Sequence, residues 1–317
     1  MYDLIVIGGG PAALAAAFYA QSKQVKMVMI YEELGGKTSW WEHDIVEKAV
    51  PRLSLPGNEL VQILTRSVSA EAGNVIHDRV VKVQAHDEEF VVQTQTNGTL
   101  TSTAVIVATG ASPIHLDVPG ADGLLGPLPG YSITTYAQLV RDRHVAVIGT
   151  TSRALRGAAE LAHTAAQVYL IVPDAPLPPT VLIGAIRRRP NIDLLEGYEV
   201  KEIMTHPTAR ELVLERQGGS RQIRVEQIFV DLGIVPNSGL VQGVAYLDRD
   251  GFIVVDEYNN TTMPGLFAAG DVTTAFAEQV LVAIGDGARA AQSAYDYLLA
   301  RWLVAKPATI TRHIQSP

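Results

Sequence analysis

The chain has 317 residues, a net charge of −8 and no cysteine. Its length allows two domains with sizeable cores, and 47% apolar with 18% charged residues is ordinary globular composition. The negative balance weighs against a broad nucleic-acid surface. No run approaches the ~18 apolar residues of a membrane helix, and the absence of thiols excludes disulfides, thiolate metal sites and a dithiol redox centre from this sequence.

Tyr2–Ile7 is an apolar run read as a strand. No charged leader precedes it, so a signal peptide is not expected and the cytoplasm is the expected compartment. Gly8-Gly9-Gly10-Pro11-Ala12-Ala13 follows directly, and residues 14–20 read as an Ala-rich helix. Strand, tight turn and helix with G-x-G-x-x-A at Gly8, Gly10 and Ala13 form a dinucleotide-binding unit. Gly8 permits the turn, Gly10 lets a pyrophosphate approach the backbone, and Ala13 lets the helix pack on the strand. The helix N-terminus offers N–H groups and partial positive charge to phosphates. Residues 26–31 read as a second strand, and Glu32 after it can accept from ribose hydroxyls.

Leu34-Gly35-Gly36-Lys37 is a Gly-rich loop, and residues 38–44 carry Trp40-Trp41, read either as core packing or as an aromatic cover over a flat ring. Residues 58–72 read as an amphipathic helix. Residues 75–103 show three alternating strand-like runs with an Asn97-Gly98 hairpin turn. Residues 104–108 read as a further strand ending at Thr109-Gly110, and the Pro- and Gly-rich residues 114–129 as a domain crossover.

A second βα unit begins with His144–Ile148, the turn Gly149-Thr150-Thr151-Ser152-Arg153-Ala154 and a helix over 155–166. Strands are expected at 168–172, 199–204, 211–216, 223–230, 251–256 and 266–269, and helices at Val181–Arg188 and 279–302, with residues 232–237 as the return crossover. The two Gly-turn units are the internal repeat. The expected fold class is α/β, with two Rossmann-like (three-layer ββα) dinucleotide-binding domains. Residues 1–113 and 244–317 would form the first domain, with the second, 114–243, inserted in it.

With both units, Val107-Ala108-Thr109-Gly110-Ala111, Gly233-Ile234-Val235-Pro236-Asn237 and Pro264-Gly265-Leu266-Phe267-Ala268-Ala269-Gly270-Asp271-Val272 in hand, the chain resembles the low-molecular-weight thioredoxin reductase family of flavoproteins, class II of the pyridine nucleotide-disulfide oxidoreductases. The resemblance implies that the first and last segments bind FAD, that the inserted domain is of the NADPH-binding type, and that the protein is a homodimer. It implies that Asp271 holds a ribityl hydroxyl, that Gly35, Gly36 and Lys37 line the flavin, and that Gln279-Val280 presents backbone to the isoalloxazine pyrimidine. A helix starting there points its positive end where reduction places negative charge. Pro11, Ala12, Val80, Thr109, Gly110 and Gly270 complete the expected cofactor-binding set, and no metal site is expected.

Three departures qualify the resemblance. The family's C-x-x-C positions hold Ser132 and Thr135, whose hydroxyls cannot form a mixed disulfide. Ser132 has no His in an evident base position. The second phosphate turn keeps Gly149 and Ala154 but has Thr151 at its middle glycine, where a β-branched side chain takes space from a pyrophosphate. Where the family carries basic residues for the 2′-phosphate of NADP, this chain reads Val172-Pro173-Asp174. Arg153 and Arg156 read either as solvated helix residues or as a site for another anion.

The expected function is an FAD-dependent oxidoreductase using a donor other than NADPH and a non-disulfide acceptor, its partners small molecules or small redox proteins rather than nucleic acid or membrane. One alternative is a second flavin or other nucleotide at Gly149, Thr151, Ser152 and Arg153. Another is an FAD-binding redox sensor or subunit without turnover.

Overall fold

The computed structural model describes residues 1–40, 57–69, 74–121, 140–173, 176–274 and 279–304. Trp41, Ser132, Thr135 and Asp174 lie outside them. The chain divides into two compact units, one made of Met1–Ser39, Leu55–Ala111 and Pro236–Pro317, the other chiefly of Ser112–Val235.

The first unit is built on strands β1 (Tyr2–Ile7), β2 (Met27–Tyr31), β3 (Val75–His77), β4 (Val80–His86), β5 (Glu89–Thr94), β6 (Thr99–Val107) and, far along the chain, β16 (Leu266–Ala268). Their order is β3-β2-β1-β6-β5-β4, with β16 also on β6. β1 pairs in parallel with both β2 and β6, and it is an unbroken apolar run because both its faces are covered. Leu4 and Val6 face helices α1 (Pro11–Ser22), α2 (Gly57–Ser69) and α5 (Val280–Val304). Ile5 and Ile7 face the opposite layer, with Val83, Phe90, Val92, Val241 and Ile253.

Small residues set the helix spacing. Ala12, Ala13, Ala16 and Ala17 of α1 are buried in the same cluster as Ala283, Ala290, Ala291 and Ala294 of α5. A Cβ on Gly287 would strike the Ala12 carbonyl, so glycine there permits close approach of the two helices.

Sequence patterning divides residues 75–108 differently from the structure. The hairpin strand and the strand expected at 104–108 are one nine-residue strand, β6. Its first half pairs antiparallel with β5, Gln93 opposite Thr99. Its second half pairs in parallel with β16, Ala268 opposite Val107. No turn residue separates the halves, so only the change of partner marks the join.

In the second unit β8 (His144–Ile148), β9 (Gln167–Val172), β10 (Ile192–Glu196) and β14 (Gln227–Val230) form a parallel sheet in the order β10-β9-β8-β14. Val145 and Val147 pack towards helices α3 (Ser152–Leu161) and α4 (Val181–Arg188). Ala146 and Ile148 pack against a three-stranded antiparallel sheet of β11 (Glu199–Thr205), β12 (Arg210–Arg216) and β13 (Gly219–Val225). The run expected as one strand at 223–230 is therefore two, broken at Glu226, whose halves serve different layers. Residues 251–256 are not a strand; Ile253 makes isolated bridges to Leu247 and Thr273. The two crossings, β7 (Ala111–Pro113) and β15 (Ile234–Pro236), pair with each other.

Candidate functional site

The first βα turn leaves the C-terminal end of β1. Gly8 has φ +127°, and a Cβ on it would collide with the Ala108 carbonyl. Its N–H donates to the Ile30 carbonyl at 2.8 Å. Gly9 is equally confined, against the Glu33 carbonyl. Gly10 differs: a Cβ there would meet no atom of the described residues within 4 Å. Gly10 is also the N-cap of α1, Pro11 begins the helix, and no acidic side chain occupies its first turn. The turn thus presents an open flank at an uncapped, positively polarised helix end, which suits a phosphate-bearing ligand. Ala13 is fully buried, as its role in packing α1 requires.

The second Gly-rich loop closes on this turn. The Gly35 N–H donates to the Gly9 carbonyl at 2.8 Å, and a Cβ on Gly36 would lie 2.9 Å from the Gly10 Cα. Lys37 follows in a 3₁₀ turn, and its Nζ lies 2.6 Å from Asp271 Oδ2, with side chains 24% and 16% exposed. Asp271 sits in the turn after β16. The preceding Gly270 has φ +73°, and a Cβ there would lie 3.0 Å from the Ala12 Cβ and 3.6 Å from the Ala283 Cβ. Ala283, in the first turn of α5, is the residue against Gly270, and its N–H donates to the Gln279 carbonyl at 2.9 Å, so the start of α5 at Val280 belongs to the same edge. Gly8, Gly10, Pro11, Ala12, Gly35, Gly36, Lys37, Gly270, Asp271, Gln279 and Val280 thus gather beyond the carboxyl ends of parallel strands, where ligands of such sheets bind.

Thr109 and Gly110 follow β6 and are tied to Asn237. Thr109 Oγ1 donates to the Asn237 carbonyl at 2.7 Å, Asn237 Nδ2 donates to the Thr109 carbonyl at 3.0 Å, and the Asn237 N–H donates to Gly110 at 2.9 Å. Glu32 is exposed at the end of β2, with Arg79 Nε 3.3 Å from its Oε1. Val80 follows Arg79 and is half-buried where β4 opens.

Asp286 on α5 carries no signal of function in the sequence beyond being an acid inside an Ala-rich helix. It is 8% exposed, and Arg289 Nη1 lies 3.3 Å from its Oδ1. Burial pushes its carboxyl up; Arg289 and the Gly270 N–H oppose that, and the charge of Asp271 adds to it. Arg289 also donates to Asn259, whose amide donates to the Ala268 carbonyl. A polar chain, buried at Asp286 and Asn259 and open to solvent at Arg289, therefore backs the Gly270-Asp271 turn.

The second βα turn is built differently. A Cβ on Gly149, φ +149°, would strike the Asp231 carbonyl. Thr151 is the N-cap of α3, its hydroxyl accepting from the Ala154 N–H at 2.9 Å. Arg153 Nε and Nη2 donate to Asp231 Oδ2 and Oδ1 at 2.5 and 2.6 Å, and the carboxylate is 1% exposed. The reading of Arg153 as a solvated helix residue is corrected by this pair; Arg156 and Ser152 are exposed. Among the described residues no three His, Asp or Glu side chains gather to hold a metal, and no helix is long and apolar enough to cross a membrane.

The family model for pyridine nucleotide-disulphide oxidoreductases matches residues 2–287. Among curated proteins the chain is 30% identical to a component of the alkyl hydroperoxide reductase of Staphylococcus aureus over 304 residues, 94% of this chain and 59% of that protein. The chain therefore spans about three-fifths of the length of the curated relatives it matches. Thioredoxin reductase of Streptococcus pyogenes superposes with a TM-score of 0.77 at 26% identity, over 95% of this chain and 99% of that one. Thioredoxin reductase of T. acidophilum gives 0.64 at 25% identity, over 93% and 98%.

Proposed function

The chain belongs to the pyridine nucleotide-disulphide oxidoreductase family and is a flavin-dependent oxidoreductase of the thioredoxin reductase type, and from that premise we propose that its first unit holds one FAD that is reduced by a donor other than NADPH and oxidised by a non-disulfide acceptor. The observation that carries the FAD assignment is the open flank of Gly10 at the uncapped start of α1, beside the Lys37–Asp271 pair.

The pyrophosphate would lie on the Gly10 turn, against the N-terminal dipole of α1. Glu32 would accept from the adenosine ribose, and Asp271, held by Lys37, from a ribityl hydroxyl. Gln279 and Val280 would bring the positive end of α5 to the pyrimidine edge, where it stabilises negative charge. When bound, FAD supplies the redox chemistry, taking electrons from one partner and giving them to another. This sequence has no thiol to relay electrons to a disulfide. The donor and acceptor are then small molecules or small redox proteins, and a cytoplasmic homodimer is the working form.

The test is flavin release and counting, followed by anaerobic titration with candidate donors. One FAD per chain is expected, bleaching with a low-potential donor and slowly with NADPH. Apoprotein that refuses FAD would overturn the assignment; full bleaching within milliseconds at micromolar NADPH would overturn the donor reading alone.

A further inference from the structure

The second βα turn has the framework of a phosphate site: a parallel sheet, a glycine with φ +149° and a ten-residue helix starting after it. Its charges are arranged against that use. Arg153 stands in the first turn of α3, where a cation opposes the helix dipole. Asp231 follows β14 at the carboxyl edge of the sheet, its carboxylate almost fully buried, which is costly for an unpaired charge. Each placement is understandable only with the other: two charge-assisted hydrogen bonds at 2.5 and 2.6 Å join them. Gly149 fixes the location, since its α-carbon lies directly against the Asp231 carbonyl. Thr151 has meanwhile turned its hydroxyl onto the Ala154 N–H, a donor of the kind phosphates use at helix ends.

We propose that Asp231 is the residue that closes this turn: it holds the Arg153 guanidinium where the phosphates of a dinucleotide would lie and neutralises the cation best placed to attract them. The inserted unit is thereby shut to phosphate-bearing ligands, flavin nucleotides as well as pyridine nucleotides. This rests on the donor reading above and supplies its structural cause.

The experiment measures binding, not turnover, on the flavin-loaded protein with ADP as probe. Wild type should show no saturable binding up to millimolar ADP. Asp231→Ala frees Arg153 at a helix N-terminus and should bind ADP about ten-fold or more tighter than wild type; adding Arg153→Ser should abolish the gain. Where Asp231→Ala fails to fold, Asp231→Asn keeps the shape, drops the charge and should move in the same direction. Equal affinity of wild type and both Asp231 variants would overturn the proposal. So would tight ADP binding to wild type that Arg153→Ser weakens, because Arg153 would then be a phosphate ligand. Fast reduction of wild type by NADPH would sink the donor reading and the closure together, whereas slow reduction with equal ADP affinity across the series would sink the closure and leave the donor reading standing.

Discussion

Lys37 Nζ and Asp271 Oδ2 stand 2.6 Å apart and join the loop after β2 to the turn after β16, two segments from opposite ends of the chain. Both side chains are less than a quarter exposed, so the pair is shielded more than a surface ion pair. Lys37→Met and Asp271→Ala should each weaken FAD binding. Together they should fall short of additivity by about 1 kcal/mol or more, read as FAD dissociation constants in a double-mutant cycle. Additive losses would show that the two residues act separately.

Gly8 and Gly10 should respond differently to substitution. Gly10→Val adds a side chain into space that no atom of the described residues occupies and at φ −77°, so the protein should fold. It should lose FAD affinity by about two orders of magnitude or more, because the branched carbon takes the pyrophosphate's place. Gly8→Val should not fold, since it meets the Ala108 carbonyl at φ +127°. Circular dichroism separates fold from flavin content.

Asp286 predicts a pH dependence of stability. Its carboxyl is raised above the ordinary 3.8, chiefly by burial. The folded state therefore holds its proton more tightly than the unfolded state. Stability from this group is present below the unfolded value and is lost as pH rises through the folded value. Asp286→Asn should flatten that decline, leaving the stability of the variant closest to, or above, wild type near neutrality. Urea midpoints of the apoprotein from pH 4 to pH 7, two conditions chosen around the carboxylate range, check this; a steeper decline in the variant would refute it.

No disulfide substrate should be reduced by this chain in the absence of another thiol. Ser132→Cys with Thr135→Cys should not restore such activity, because the closed second turn still leaves NADPH without an anchor. Thiol release from a disulfide reagent under NADPH measures both.

Thr151→Gly alone should not confer rapid reduction by NADH. It removes the cap of α3, at a cost of a few tenths of a kcal/mol for glycine in place of threonine, but leaves the Arg153–Asp231 pair in place. Stopped-flow reduction of this variant, and of a second one carrying Asp231→Ala as well, should separate the two obstacles.

The first turn was legible because its residues are contiguous and each constraint is local: Gly8 for φ, Gly10 for space, Ala13 for packing. The Asn97-Gly98 hairpin was legible for the same reason. Lys37–Asp271 followed from motifs at both ends of the chain, but only as two separate roles. The Arg153–Asp231 pair left no local signal, because its partners are 78 residues apart. Asn237 lay in a motif without a role until its hydrogen bonds to Thr109 and Gly110 appeared. The strand expected at 223–230 failed at Glu226, where apolar residues continue on both sides while the chain passes from one sheet to another. Its carboxylate accepts the His144 N–H at 2.7 Å, a contact that periodicity cannot foresee.

The change of partner along β6 sets a timetable for synthesis. The half bonded to β5 closes early, through a turn at Asn97-Gly98. The other half waits for residues 266–268, which leave the ribosome after the whole inserted unit. Until then it is an unpaired strand edge, the kind that invites pairing with a neighbouring chain. Completion of that edge also delivers Asp271 to Lys37, so capture of flavin by a nascent chain would report that its last strand has docked.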